Sequence, residues 1–142
     1  MEILELCKLT PAHLEQLQAL MVELDPAIPV SGDMLAAVCE DPATHLFAAF
    51  DQDGRIVGCA SLGVFHTPTG LKGAIEDVVV SSACRGMGLG RQLLEHVLAF
   101  ASGLAPIDLH LTSRPVREAA NRLYQSLGFV RRDTNVYKLC LK

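Results

Sequence analysis

Apolar positions along the chain switch between the two-residue period of a strand and the three-to-four-residue period of a helix. Residues 2–7 read as a short strand. Thr10 followed by Pro11 has the form of an N-cap and first helical residue. Leu14, Leu17, Met21 and Leu24 follow at helical spacing until Asp25-Pro26. Met34, Leu35 and Val38 predict a second helix from Ser31 to about Glu40, stopped by Asp41-Pro42. Residues 45–50 and 56–65 are apolar runs joined by Asp51-Gln52-Asp53-Gly54, and the Asp-Gly pair predicts a hairpin turn. A second loop over residues 66–70 leads to a run over 74–80, whose valines favour a strand buried on both faces. After a glycine-rich loop, Leu89, Leu93, Val97 and Leu98 make the stripe of a third helix, which Gly103 ends. Residues 107–112 alternate as a strand does. Pro115 opens a last helix with Ala120, Leu123, Tyr124 and Leu127 on its stripe, and Gly128 takes the left-handed position behind it. Residues 129–132 and 136–141 read as closing strands. The order β-α-α-β-β-β-α-β-α-β-β describes an α/β chain, a mixed (α+β) sheet with helices on its faces.

Composition narrows the function classes. At 142 residues, 50% hydrophobic and 20% charged, the chain is one domain's length and can fill a core. No apolar stretch approaches the roughly 18 residues of a membrane helix. Residues 1–10 alternate acidic and apolar positions and lack the layout of a signal peptide, so the expected location is cytoplasmic. A net charge of −4 gives no basic footprint for nucleic acid. The five cysteines (Cys7, Cys39, Cys59, Cys84, Cys140) include no C-x-x-C pair, and the five histidines share no ligand spacing. Neither a disulfide framework nor a metal site is expected.

The informative stretch is Glu76-Asp77-Val78-Val79-Val80, then Arg85-Gly86-Met87-Gly88-Leu89-Gly90-Arg91. A strand feeds a loop with three glycines in five residues, and a helix follows at once. Glycines let backbone approach a ligand closely, and unpaired N–H groups at a helix start favour an anion. Arg85 and Arg91 flank the loop and can add charge-assisted bonds to phosphate. The dinucleotide pattern G-x-G-x-x-G fails at Arg91, and the Walker pattern lacks its Gly-Lys followed by Ser or Thr.

What remains is R-x-x-G-x-G, at Arg85, Gly88 and Gly90. With Val78 and Val80 before it and Leu123-Tyr124, Gly128 and Phe129 after it, the chain resembles the GNAT superfamily of acyl-CoA-dependent N-acyltransferases. The likeness runs through the element order over residues 2–141. It implies a single domain over residues 1–142, whose central mixed sheet is splayed between two parallel strands, those of Val80 and Leu109, with helices on both faces. It implies acetyl-CoA as co-substrate, its pantetheine arm pairing with the backbone of Val78, Val79 and Val80. The diphosphate would meet the amides of Gly86, Met87, Gly88, Leu89, Gly90 and Arg91.

The resemblance assigns Tyr124 as general acid towards the departing thiolate; periodicity alone reads it as a core aromatic on an apolar stripe. Glu76 and Asp77 are candidates for drawing a proton from the amine or contacting the substrate, and equally for pairing with an arginine. On a regular strand they point to opposite faces, with Glu76 sharing that of Val78 and Val80. The family often carries Asn seven residues before the helix tyrosine, where this chain has Arg117, so that contact does not transfer to Asn121. The expected activity is acetyl transfer to a small-molecule or peptide primary amine. A non-catalytic acyl-CoA sensor remains an alternative. So does an amino-sugar acetyltransferase, because residues 76–80 and 84–86 are similar to the glucosamine-phosphate members. Members commonly form dimers; no interface signal stands in this sequence.

Overall fold

The computed structural model describes all 142 residues as two compact units, Met1–Leu111 and Thr112–Lys142. In the first, the order is β1 (Glu2–Glu5), α1 (Pro11–Leu24), α2 (Gly32–Glu40), β2 (Thr44–Phe50), β3 (Ile56–Thr67), β4 (Gly70–Val80), a 3-10 turn (Ser82–Cys84), α3 (Leu89–Ser102) and β5 (Asp108–His110). The second unit contains α4 (Glu118–Ser126).

Local chemistry sets the helix starts. The Thr10 hydroxyl accepts the His13 N–H at 3.1 Å, the Thr10 N–H returns to His13 Nδ1 at 3.3 Å, and Pro11 supplies a preset first φ. Ser31 caps α2 by accepting the Met34 N–H at 3.2 Å. In the β2–β3 turn, one Asp51 carboxylate oxygen accepts the N–H groups of Asp53 and Arg55, both at 2.9 Å, while Gly54 takes φ +77°.

The five strands lie in the order β1-β2-β3-β4-β5, antiparallel up to β4 and parallel between β4 and β5. One face packs on α1 and α2 through Leu17, Leu20, Leu35, Leu46, Ala48, Cys59 and Val79. The other packs on α3 through Ala49, Leu89 and Leu93, with Val80 and Cys84 at the margin. Helices on both faces of a mixed sheet are therefore the observed architecture.

Several boundaries differ from the sequence expectation. The predicted loop at 66–70 is shorter, because His66 pairs with Leu71 and Thr67 with Gly70. Gly103 does follow α3, but with φ −70°, so it needs no left-handed residue there. α4 starts at Glu118 rather than Pro115; the Asn121 amide donates to the carbonyls of Arg114 and Arg117, at 3.0 and 2.8 Å, and holds the preceding turn. Residues 129–132 and 136–141 form no strand. A strand exists by pairing its backbone groups, and the sheet ends at β5 without recruiting either segment. No helix is long and apolar enough to cross a membrane.

Candidate functional site

β4 carries a defect in its pairing. Ser61 pairs with Glu76 and Cys59 with Val79, so Asp77 and Val78 together oppose Ala60. This is a β-bulge. Asp77 adopts φ +52°, the one non-glycine residue in the chain with a left-handed φ. Aspartate tolerates that region better than most residues, yet it costs on the order of 1–2 kcal/mol. The carbonyl of Asp77 accepts the Cys59 thiol at 3.9 Å, and burial, with a smaller contribution from the Asp77 charge, pushes that thiol up to about 12. It stays a protonated donor beneath the bulge.

The extra residue changes which side chains share a face. Glu76, opposite Ser61, lies on the α1–α2 side with Cys59 and Val79, whereas Val80, opposite Gly58, lies on the α3 side. The expectation that Glu76 shares the face of Val80 is thus overturned, because the bulge breaks the alternation it assumed. Glu76 and Asp77 are both exposed, and Val79 is the buried member of the valine run.

β4 is also open on its β5 side. The parallel ladder pairs only Lys72, Gly73 and Ala74 with Asp108, Leu109 and His110, and an ion pair of 3.2 Å between Lys72 and Asp108 spans its start. From Ile75 to Val80 the strand has β3 alone as a neighbour. The strands of Val80 and Leu109 do part, as the family resemblance implied.

The open edge runs into the glycine loop. Gly86 (φ +82°) and Gly88 (φ +75°) both sit left-handed, and Gly88 is the N-cap of α3. A Cβ at either would meet nothing within 4 Å, so the backbone angle rather than crowding requires glycine, and the space before the loop is clear. The helix ladder starts with Gln92 N–H to Gly88 carbonyl at 3.1 Å, which leaves the amides of Leu89 and Gly90 without an intrahelical acceptor. Arg85 Nε donates to the Val80 carbonyl at 3.3 Å, and Arg91 Nε pairs with Glu95 at 2.8 Å. The Arg91–Glu95 pair is half-exposed, a class of contact contributing only about 0.3–0.5 kcal/mol. It can give way to a diphosphate.

Sequence reasoning missed Glu23. From the last turn of α1, its carboxylate accepts the Ser82 N–H at 2.9 Å and so ties α1 to the turn that delivers the loop. That amide, the Ser82 hydroxyl and the Arg85 guanidinium hold its pKa below the usual carboxylate value. On the sequence it is one more acidic residue on a helix, and nothing in its spacing marks it.

A groove of about 850 Å³ lies beside Met87, bordered by Met1, Glu2, Phe50, Asp51, Gln52 and Asp53. Its carboxylates make it a poor seat for an anion, and it flanks the loop tip rather than the open edge of β4.

Tyr124 lies in the second unit, where it is buried. The end of α4 is a Schellman motif: Phe129 N–H reaches the Tyr124 carbonyl and Gly128 N–H the Gln125 carbonyl, each at 3.1 Å, with Gly128 at φ +100°. The rings of Tyr124 and Phe129 meet edge-on with centroids 6.2 Å apart. The spacing Tyr-x-x-x-Gly-Phe therefore has a structural cause that any aromatic at 124 would satisfy.

A strand with an open edge thus leads into a left-handed glycine loop and a helix N-terminus. Residues 11–129 match the acetyltransferase (GNAT) family. The chain belongs to this family. Among curated relatives of this GNAT chain, the glucosamine 6-phosphate N-acetyltransferase of Trypanosoma brucei brucei is 33% identical over 134 residues, covering 89% of this chain and 88% of the relative. The streptothricin acetyltransferase of Streptomyces lavendulae is 32% identical over 90 residues, 63% of this chain; the match spans about half of that relative, 47%. Among solved structures, a putative acetyltransferase from Agrobacterium tumefaciens str. C58 superposes with a TM-score of 0.85 at 26% identity, covering 99% of this chain and 100% of that one. The GNAT match takes in β4, the glycine loop, α3 and α4, and stops at Phe129.

Proposed function

We propose that this GNAT chain, acting as one domain over residues 1–142, moves the acetyl group of acetyl-CoA to a primary amine by direct attack. The observation that carries the reading is the unpaired stretch of β4 running into Gly86, Gly88 and the start of α3. Acetyl-CoA supplies an acetyl group already activated as a thioester. The backbone of Val78, Val79 and Val80 offers strand-like hydrogen bonds to an extended arm. The amides of residues 86–91 and the cations of Arg85 and Arg91 offer the complement to a diphosphate.

The chemistry needs a neutral amine, although an alkyl ammonium holds its proton up to a pKa near 10.4. Glu76, exposed at the bulge, takes that proton through water, and Asp77 contacts the cationic substrate. A backbone N–H of Val79 or Val80 polarises the carbonyl where charge develops. As the nitrogen–carbon bond forms and the carbon–sulfur bond breaks, the Tyr124 hydroxyl gives its proton to the departing sulfur.

The likeness to a glucosamine 6-phosphate N-acetyltransferase over 89% of the chain favours an amino sugar within the amine class. A panel of amino sugars, aminoglycosides and peptide amines, followed by release of free thiol from acetyl-CoA, tests both levels. Amine-dependent release is expected, strongest with amino sugars. Tight acetyl-CoA binding with no amine-dependent release from any class would instead make the chain a sensor.

A further inference from the structure

Two cysteines far apart in the chain meet where the end of β1 passes the end of α2. The Cys39 thiol, in the last turn of α2, donates to the Leu6 carbonyl at 3.3 Å. Cys7 follows Leu6 through a trans peptide, which holds that carbonyl oxygen about 3 Å from the Cys7 Cα. The Cys39 sulfur therefore lies within about 6 Å of the Cys7 Cα. Electrostatics reports the same proximity. Burial pushes the Cys39 thiol up, and the next cause is the charge of Cys7, ahead of Glu40, its own chain neighbour, and of Glu5.

Both positions can absorb the shift that a bond needs. Cys7 sits in the bend after β1 and Cys39 at a helix end, so neither lies within the middle of a backbone ladder. A disulfide spans Cα separations of about 4.4–6.8 Å, and movement of a helix end supplies a small difference. The contact given up is a thiol-to-carbonyl bond, and a thiol is a weak donor. The two sulfurs also differ in access. Cys7 is exposed and meets a reagent first, whereas Cys39 is partly buried and reaches only what is already joined to Cys7.

We propose that Cys7 and Cys39 form a redox site, which a low-molecular-weight disulfide closes into a bond stapling α2 to the end of β1. The Cys7 thiolate attacks one sulfur of the small disulfide, joins it and expels the first small thiolate. The Cys39 thiolate then attacks the Cys7 sulfur and expels the second. Two protein thiols are oxidised, the small disulfide is reduced to two thiols, and those thiols take up the two protons. Attachment of a neutral group removes the Cys7 charge, so one cause that keeps Cys39 protonated disappears at the step where it must attack. The closed ring takes in α1 and most of α2, the helices packed on the sheet face that carries Glu76.

The test uses the full chain in a Cys140→Ser background, which removes the other exposed thiol. Treated with hydroxyethyl disulfide, it should lose two titratable thiols and become two hydrogens lighter. A proteolytic map made without reductant should join the peptides of Cys7 and Cys39. Tm should rise by about 5–10 °C and return on addition of dithiothreitol. Cys39→Ser should instead retain a hydroxyethylthio group on Cys7, because no second thiol displaces it. Cys7→Ser should leave Cys39 unmodified. No loss of thiols, a lasting adduct on Cys7 while Cys39 is present, a bond between two chains, a link to Cys59 or Cys84, or a bond that leaves Tm unchanged would each overturn the inference.

Discussion

Tyr124 does two jobs that one atom separates. Its ring closes the Schellman motif against Phe129, and the proposed chemistry uses only its hydroxyl. Tyr124→Phe keeps the ring contact, so stability should change by less than about 0.5 kcal/mol. Turnover should fall by about 10²–10⁴ with acetyl-CoA affinity unchanged, if the hydroxyl is the proton donor. Steady-state kinetics beside calorimetric binding check this, and unchanged turnover removes Tyr124 from the chemistry. Glu23 is the opposite case, a residue whose role only geometry reveals. Its pKa in the fold lies below that of an ordinary glutamate, chiefly because it accepts the Ser82 N–H. A lowered carboxylate pKa means that the anchoring is complete above the unfolded value and lost as pH falls through the folded one. The Ser82 amide resonance should therefore titrate with a midpoint below that of an ordinary glutamate. In Glu23→Gln that titration should vanish; if it persists, another group is responsible.

Among the elements, β4 shows where sequence reading stops. Its valines announced a strand and the glycines after it a loop before a helix, and both form; burial on both faces does not, since Val79 alone of the valine run is buried and Glu76 and Asp77 are exposed. The bulge at Asp77 was not legible, because a single inserted residue leaves composition and spacing untouched and appears only when β3 fixes the register. The placement of Glu76 failed for that reason. The closing strands failed for another: residues 129–141 have the apolar pattern of strands, but a pattern supplies no pairing partner for backbone groups, and neither segment forms a strand. α3 must meet the sheet closely to hold the loop, and Gly58 allows this. A Cβ there would lie 3.1 Å from Leu93 Cδ1 and 3.2 Å from the Val79 carbonyl. The carbonyl belongs to a paired strand and has little freedom to move. Gly58→Ala should cost about 1–3 kcal/mol by overpacking. Because Leu93 sits one turn behind the loop, coenzyme A affinity should fall as well. Thermal melting with calorimetry checks both, and an unchanged melting temperature would show that α3 tolerates the shift.

For the whole molecule, the element order as far as α4 was legible, because it follows from patterning over many residues, where one mistaken boundary does little harm; the family was legible in its loop and helix-end motifs, and the splayed sheet came with that resemblance. The acceptor amine was not, since exposed side chains such as Glu76 and Asp77 leave no periodic trace. Ligand class is the property the intact chain tests most directly. The clear space before Gly86 and Gly88, the amides at the start of α3 and the failed dinucleotide and Walker patterns favour one diphosphate carrier over others. A ligand that binds only the folded chain stabilises it by about 2.7 kcal/mol at a hundredfold excess over its Kd. For a chain of this size that corresponds to a rise in melting temperature of about 5–10 °C. Acetyl-CoA should produce that rise while ATP and NAD at equal concentration leave the transition in place. Coenzyme A without its acetyl group should retain most of the effect, because the loop and the open strand edge meet the diphosphate and the arm rather than the group transferred. Equal shifts with all three nucleotides would mean that the loop reads phosphate alone and that the open edge of β4 has no part in recognition.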